Sequence, residues 1–148
     1  MNPDANLRRN VATAAAIADH LRACNSSFVP PLGARVEIED YAAKLVARAE
    51  RFEAWSNDRL VGLLAAYCND PERKLAFVTS VSVLPAWYGQ GVASRLLRAC
   101  IEQVRHGRFE RIELEVDARN SAATLLYEKH GFAVTCTRDQ KQTLQLVV

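Results

Sequence analysis

No apolar run in this chain approaches the ~20 residues that a membrane helix needs. The start, Met1-Asn2-Pro3-Asp4-Ala5-Asn6, lacks a basic stretch followed by an apolar one, so no cleaved leader is expected. An excess of either charge is also missing. Lys and Arg number 19 against 17 Asp and Glu, and a net +2 gives no reason to expect a nucleic-acid partner. Cys24, Cys68, Cys100 and Cys136 are widely spaced, with no Cys-x-x-Cys pair and no histidine at metal-ligand spacing. They read as reduced, partly buried thiols of a cytoplasmic protein that binds neither metal nor membrane. Internal repeats, low-complexity tracts and linkers are absent too. With 49% hydrophobic and 24% charged residues, the 148-residue chain is expected to form one soluble globular domain.

Before Val11 no strand pattern is visible. Val11 to Cys24 is alanine-rich, and Val11, Ala14, Ala15, Ala18 and Leu21 recur at helical spacing. Pro30-Pro31-Leu32-Gly33 reads as a rigid loop. Glu39 to Arg51 predicts a second helix, with acidic residues in its first turn as the helix dipole prefers. Arg51 to Trp55 and the apolar run Leu60 to Tyr67, joined by Ser56-Asn57-Asp58-Arg59, predict a hairpin. Leu75 to Leu84 predicts a third strand, with Val81 and Val83 on one face and Ser80 and Ser82 on the other. Val92, Leu96, Leu97, Cys100, Ile101 and Val104 form a helical stripe, and His106-Gly107 ends that helix with a left-handed glycine. A strictly alternating strand follows, Arg111 to Val116. A helix then runs from Asn120 or Ser121 to His130 and stops at Gly131. Two last strands follow, Phe132 to Thr137 and Thr143 to Val148. This order predicts an α/β sandwich: helices flank a mixed, mostly antiparallel twisted sheet that contains one crossover pair.

Between the third strand and the helix after it lies Pro85-Ala86-Trp87-Tyr88-Gly89-Gln90-Gly91-Val92-Ala93-Ser94. Free N–H groups at a helix N-terminus attract anions, and glycines allow close backbone approach. The stretch therefore reads as a grip for the pyrophosphate of a nucleotide-bearing cofactor. A P-loop requires Gly-Lys-Ser/Thr, but Val92 and Ala93 follow Gly91. A dinucleotide fingerprint requires glycines directly after a strand, whereas here Pro85 to Tyr88 intervene. Glycines serving only a structural turn are the remaining alternative.

Downstream stands Asn120-Ser121-Ala122-Ala123-Thr124-Leu125-Leu126-Tyr127-Glu128-Lys129-His130-Gly131-Phe132. Together with the glycine loop, this string resembles the GCN5-related N-acetyltransferase (GNAT) superfamily from about Phe52 to the C-terminus. That family carries Arg/Gln-x-x-Gly-x-Gly/Ala in the loop. Tyr88 departs from the first position, while Gly89, Gln90, Gly91, Val92 and Ala93 follow the pattern. The resemblance implies a sheet splayed at a slot for acetyl-CoA. The pyrophosphate would sit on the backbone of Tyr88 to Ala93 and the helix start at Ser94. The pantetheine arm would lie along Ser82, Val83 and Leu84, with Asn120 either touching it or capping its own helix.

The resemblance further implies direct attack by a primary amine on the thioester within a ternary complex. A backbone N–H near Val83 would serve the developing oxyanion. Tyr127 would protonate the leaving thiolate. In relatives a carboxylate on the central strands often takes the amine's proton. The third strand has none; Glu113, Glu115 and Asp117 on the next strand are candidates, and Glu115, nearer the splay, is the one named as base. Phe28 to Arg35, with Trp55, Tyr67 and Trp87, are candidate acceptor-pocket walls, and Glu37, Glu39 and Asp40 are candidate holders of a cationic amine. The acceptor itself, a small molecule or a peptide amine, is not specified. A non-catalytic acyl-CoA-binding sensor of the same fold is the alternative. Leu144, Leu146 and Val148, alternating near an expected sheet edge, offer a surface for a homodimer.

Overall fold

The computed structural model describes residues 5–148, so the leader reading at Met1 to Asp4 lies outside the described residues. Seven strands form one sheet in the order β1-β2-β3-β4-β5-β7-β6. They are β1 (Asn6–Arg9), β2 (Glu50–Ser56), β3 (Arg59–Tyr67), β4 (Leu75–Val83), β5 (Arg111–Asp117), β6 (Ala133–Arg138) and β7 (Lys141–Val147). Every pairing is antiparallel except β4 with β5. The helices are α1 (Ala14–Ala23), α2 (Ile38–Arg48), α3 (Val92–His106) and α4 (Ser121–Lys129). One core lies between α1, α2 and the sheet, built on Ile17, Leu21, Leu45 and Leu63. The other joins α3 and Tyr127 of α4 to the opposite face through Leu96, Leu97, Ile112 and Leu114.

Several expectations hold. The β2–β3 hairpin turns at Asn57 and Asp58, both at positive φ as a tight two-residue turn requires. All six stripe residues of α3 are buried. Gly131 ends α4 with φ +96.

Four readings need correction. A strand, β1, does precede Val11. It carries no inward apolar pattern, since all four residues are exposed, and it is held by pairing with β2 and by Arg9 bonded to Glu50 at 2.6 Å. Second, the buried stripe of α1 is Ile17, Ala18, His20 and Leu21, while Val11 and Ala15 face out. Third, Gly107 ends α3 in right-handed geometry, φ −74, and Arg108 takes the left-handed position at φ +62. Fourth, β7 lies inside the sheet between β5 and β6, and Leu144 is fully buried. The edge is β6, whose six residues are all exposed.

A bulge in β4 shapes the site. Val78 faces Ala66 and Ser80 faces Ala65, so Thr79 is the extra residue. A bulge bends its strand and shifts the alternation by one. Ala76 and Val78 point to the α3 side before it. After it Val81 and Val83 do so, and Ser80 and Ser82 turn to the α1 side.

Candidate active site

The glycine loop starts where β4 runs out. Leu84 N–H donates to Val61 O at 2.8 Å, and Pro85–Trp87 makes one 3-10 turn anchored by the buried Trp87 ring. Gly89 and Gly91 sit at φ +75 and +77, conformations that favour glycine. A Cβ at either would meet nothing within 4 Å. Backbone geometry therefore demands these glycines, and the space beside them is open to an anion. Gly91 caps α3 with no side-chain hydrogen bond, leaving the first-turn N–H groups of Val92 to Ser94 pointing outward. Tyr88 stands 53% exposed at the loop. Gln90 is tied back to Ala86 O at 3.3 Å.

Beside the loop the sheet parts. The parallel pairing of β4 and β5 runs from Leu75↔Arg111 only as far as Val78↔Leu114, just before the bulge. Beyond it lies a cavity of about 580 Å³. Its walls are Thr79, Ser80 and Val81 of β4, Leu114 to Asp117 of β5, Asn120, Ala123 and Tyr127 at α4, and the loop after α1 from Ser27 to Val36. Leu84 N–H is directed at β3, and alternation along an antiparallel pair sends the backbone groups of Val81 and Val83 to the slot side instead. Tyr127 is buried, with its ring edge-on to Phe132 at 5.9 Å, and burial pushes its phenol up to about 12, so it stays protonated. Asn120 Oδ1 accepts from Ala123 N–H at 3.2 Å as the α4 cap, and Asn120 also lines the slot.

Residues 14–132 match the model of the Acetyltransferase (GNAT) family. The chain belongs to that family. It is 39% identical over 70 residues to the uncharacterized N-acetyltransferase YdgE of Bacillus subtilis, covering 47% of this chain and 45% of that protein. The chain thus spans about half the length, or less, of the curated relatives it matches. A GNAT-family protein of Desulfovibrio desulfuricans superposes with a TM-score of 0.79 at 18% identity, over 97% of this chain and 98% of that one. Salmonella typhimurium yncA, solved with its cofactor acetyl-CoA, gives 0.76 at 20% identity, over 98% and 94%. Among the described residues no helix is long and apolar enough to cross a membrane.

Within this GNAT frame, Glu115 lies on the cavity wall, its side chain 43% exposed and 3.5 Å from Lys141 Nζ. Asp117 beside it is held down to about 2 by Arg119. Of the acceptor-side expectations, Phe28, Val29, Pro30, Leu32 and Arg35 do line the cavity, joined by Tyr41 of α2. Trp55, Tyr67 and Trp87 do not. Trp55 donates instead to the buried Glu53, which also accepts from Ala12 N–H and contacts Arg51. Glu37 caps α2 by accepting from Asp40 N–H, and Glu39 pairs with Arg22, so both serve structure.

Three side-chain pairs escaped sequence reading. Tyr41 Oη lies 2.8 Å from Thr79 Oγ1 and so holds the bulge from α2. Ser94 Oγ, in the first turn of α3, lies 2.6 Å from His130 Nε2 at the end of α4, linking the glycine loop to the Tyr127 helix. His20 bonds Ser82 from behind the slot, so the Ser82 side chain points away from it. One signal was present for His20: it follows Ile17 by three residues and precedes Cys24 by four, which places it on the buried stripe of α1.

Proposed function

We propose that this chain is an N-acetyltransferase that moves an acetyl group from acetyl-CoA to a primary amine by direct attack in a ternary complex. One observation carries the reading: a side-chain-free helix N-terminus behind two left-handed glycines opens onto a slot between parted parallel strands, with a protonated tyrosine in its wall. Membership of the GNAT family and the acetyl-CoA held by the Salmonella neighbour support it. Bound acetyl-CoA would supply an activated thioester. The chain's part is to hold, orient and manage protons. The backbone from Tyr88 to Ser94 grips the pyrophosphate. Val81 and Val83 pair with the pantetheine as an added strand would, and the Val83 N–H is the oxyanion donor. Tyr127 gives its proton to the thiolate. Glu115, freed from a weak half-exposed ion pair, takes one from the amine. Phe28, Val29 and Pro30 form the acceptor wall.

Residues 1–148 are read as a single such domain. The four unpaired cysteines support a reducing, cytoplasmic setting. The exposed edge β6, and not β7, offers the surface for a homodimer at this end of the sheet. Two observations favour a second reading, an acyl-CoA sensor without turnover: Tyr88 in the loop's first position, and the absence of a carboxylate on β4. Cofactor binding is tested by thermal unfolding. Acetyl-CoA at 100 times its Kd stabilises the fold by about 2.7 kcal/mol and raises Tm, and NAD does not. An unchanged Tm at saturating acetyl-CoA refutes both readings.

A further inference from the structure

Helix α1 sets an imidazole against the back of the slot strand. His20 is only 3% exposed. Its Nδ1 lies 3.0 Å from Leu60 O and its Nε2 lies 2.9 Å from Ser82 Oγ. A carbonyl can only accept, so Nδ1 carries the proton and donates to Leu60. Nε2 is then the acceptor, and the Ser82 hydroxyl donates to it. Burial lowers the imidazole to about 4, so the neutral ring keeps this polarity at pH 7. Cys24 Sγ stands 3.7 Å from Nε2, but burial pushes its thiol up to about 11, so it is no nucleophile.

What this contact holds is the part of β4 with no neighbour on the slot side. Beyond Val78 the strand has lost β5, and its last residues are anchored by β3, by Leu84 N–H on Val61 O, and by His20 on Ser82. Ser82 lies between Val81 and Val83, the two residues whose backbone groups face the slot. The same helix leads into the loop bearing Phe28, Val29 and Arg35 on the acceptor wall.

We propose that His20 is a positioning residue: through Ser82 it fixes the slot-side backbone of Val81 and Val83 against the acceptor loop, so that the Val83 N–H meets the thioester carbonyl in register. The inference rests on the acetyl-transfer reading above. Small displacements of aligned groups cost rate steeply, and loss of one oxyanion donor costs about 100-fold or more. A donor shifted but still present is expected to cost about tenfold.

The test compares wild type with His20→Gln, His20→Leu and Ser82→Ala. Gln can donate to Leu60 and accept from Ser82, whereas Leu can do neither. Difference infrared spectroscopy of isotope-labelled acetyl-CoA bound to each protein reads the hydrogen bond on the thioester carbonyl without any acceptor. Wild type and His20→Gln should lower the carbonyl frequency. His20→Leu and Ser82→Ala should return it toward the free value, with cofactor affinity within about twofold. With an accepted amine, kcat should fall about tenfold while its KM stays nearly constant. A wild-type frequency in His20→Leu, whatever its Tm, overturns the proposal. Should His20→Leu fail to fold, the smaller Ser82→Ala change decides in the same way. A wild-type protein that binds acetyl-CoA without lowering the carbonyl frequency overturns the role of Val83 while leaving cofactor binding intact. One that binds no acetyl-CoA removes the acetyl-transfer reading itself, and the proposal with it.

Discussion

Acid should weaken this protein through His20 before it reaches the carboxylates. The folded imidazole has its pKa lowered from 6.5 to about 4, chiefly by burial, partly offset by the backbone of Leu60 and of Ser82, with the Arg59 charge adding a further lowering. Between those values the unfolded chain binds a proton that the folded chain refuses, so falling pH favours unfolding. Relative to pH 8 the loss is about 2 kcal/mol at pH 5 and about 3 kcal/mol at pH 4. Asp70, lowered chiefly by the Glu72 N–H, and Asp117, lowered to about 2 by Arg119, also lose stability on acidification, but only below the usual carboxylate pKa of 3.8. His130 is lowered by burial and by Arg98 and Lys129, and contributes with the same sign as His20. Comparison with His20→Gln cancels all three. Urea unfolding of both proteins at pH 8, 6 and 5 gives the double difference. His20→Gln should lose about 2 kcal/mol less than wild type between pH 8 and pH 5. Equal losses would refute the assignment of a buried, neutral His20.

Tyr127→Phe should lower kcat about 100-fold and leave the affinity for acetyl-CoA nearly unchanged, as steady-state kinetics and calorimetry can show; an unchanged kcat removes the proton-donor role. Gly62→Ala places a Cβ 2.8 Å from Val92 Cγ1 and 3.2 Å from Leu96 Cδ1, lifting the start of α3 from β3. It should cost about 1–3 kcal/mol in urea unfolding and weaken cofactor binding from a distance. Gly91→Ala meets no protein atom within 4 Å but must hold φ +77, so it should cost about 1 kcal/mol of stability and a larger share of acetyl-CoA affinity.

The parts legible in the sequence are those where local chemistry dictates local geometry. The turn at Asn57-Asp58, the stop at Gly131, the α3 stripe and the glycine loop each follow from what single residues permit. Strand β1 was not legible, because Asn6-Leu7-Arg8-Arg9 has no inward face and owes its form to pairing with β2 and to Arg8 and Arg9 lying over Trp55 and Phe52. The bulge at Thr79 left no mark in the alternation of β4 either. It depends on the register with β3 and on Tyr41 reaching across from α2. That one extra residue decides where Ser82 points and where β4 leaves β5, so the slot's direction came from tertiary pairing. Leu144 and Leu146 alternate as residues of an edge strand do, and only the arrival of β6 outside them puts β7 indoors.

Amine acetylation at this slot is read as thiol release from acetyl-CoA across a panel of amines: peptides with free N-termini, amino acids, polyamines and aminosugars. Exposed Cys136 and partly exposed Cys68 are both open to a thiol reagent, so turnover is read as release beyond the protein's own thiols, measured without amine. Release should depend on at least one amine, saturate with it, and fall sharply in Tyr127→Phe. Release no faster with any amine than without, in a protein that binds acetyl-CoA, would contradict it and leave a sensor in place of an enzyme.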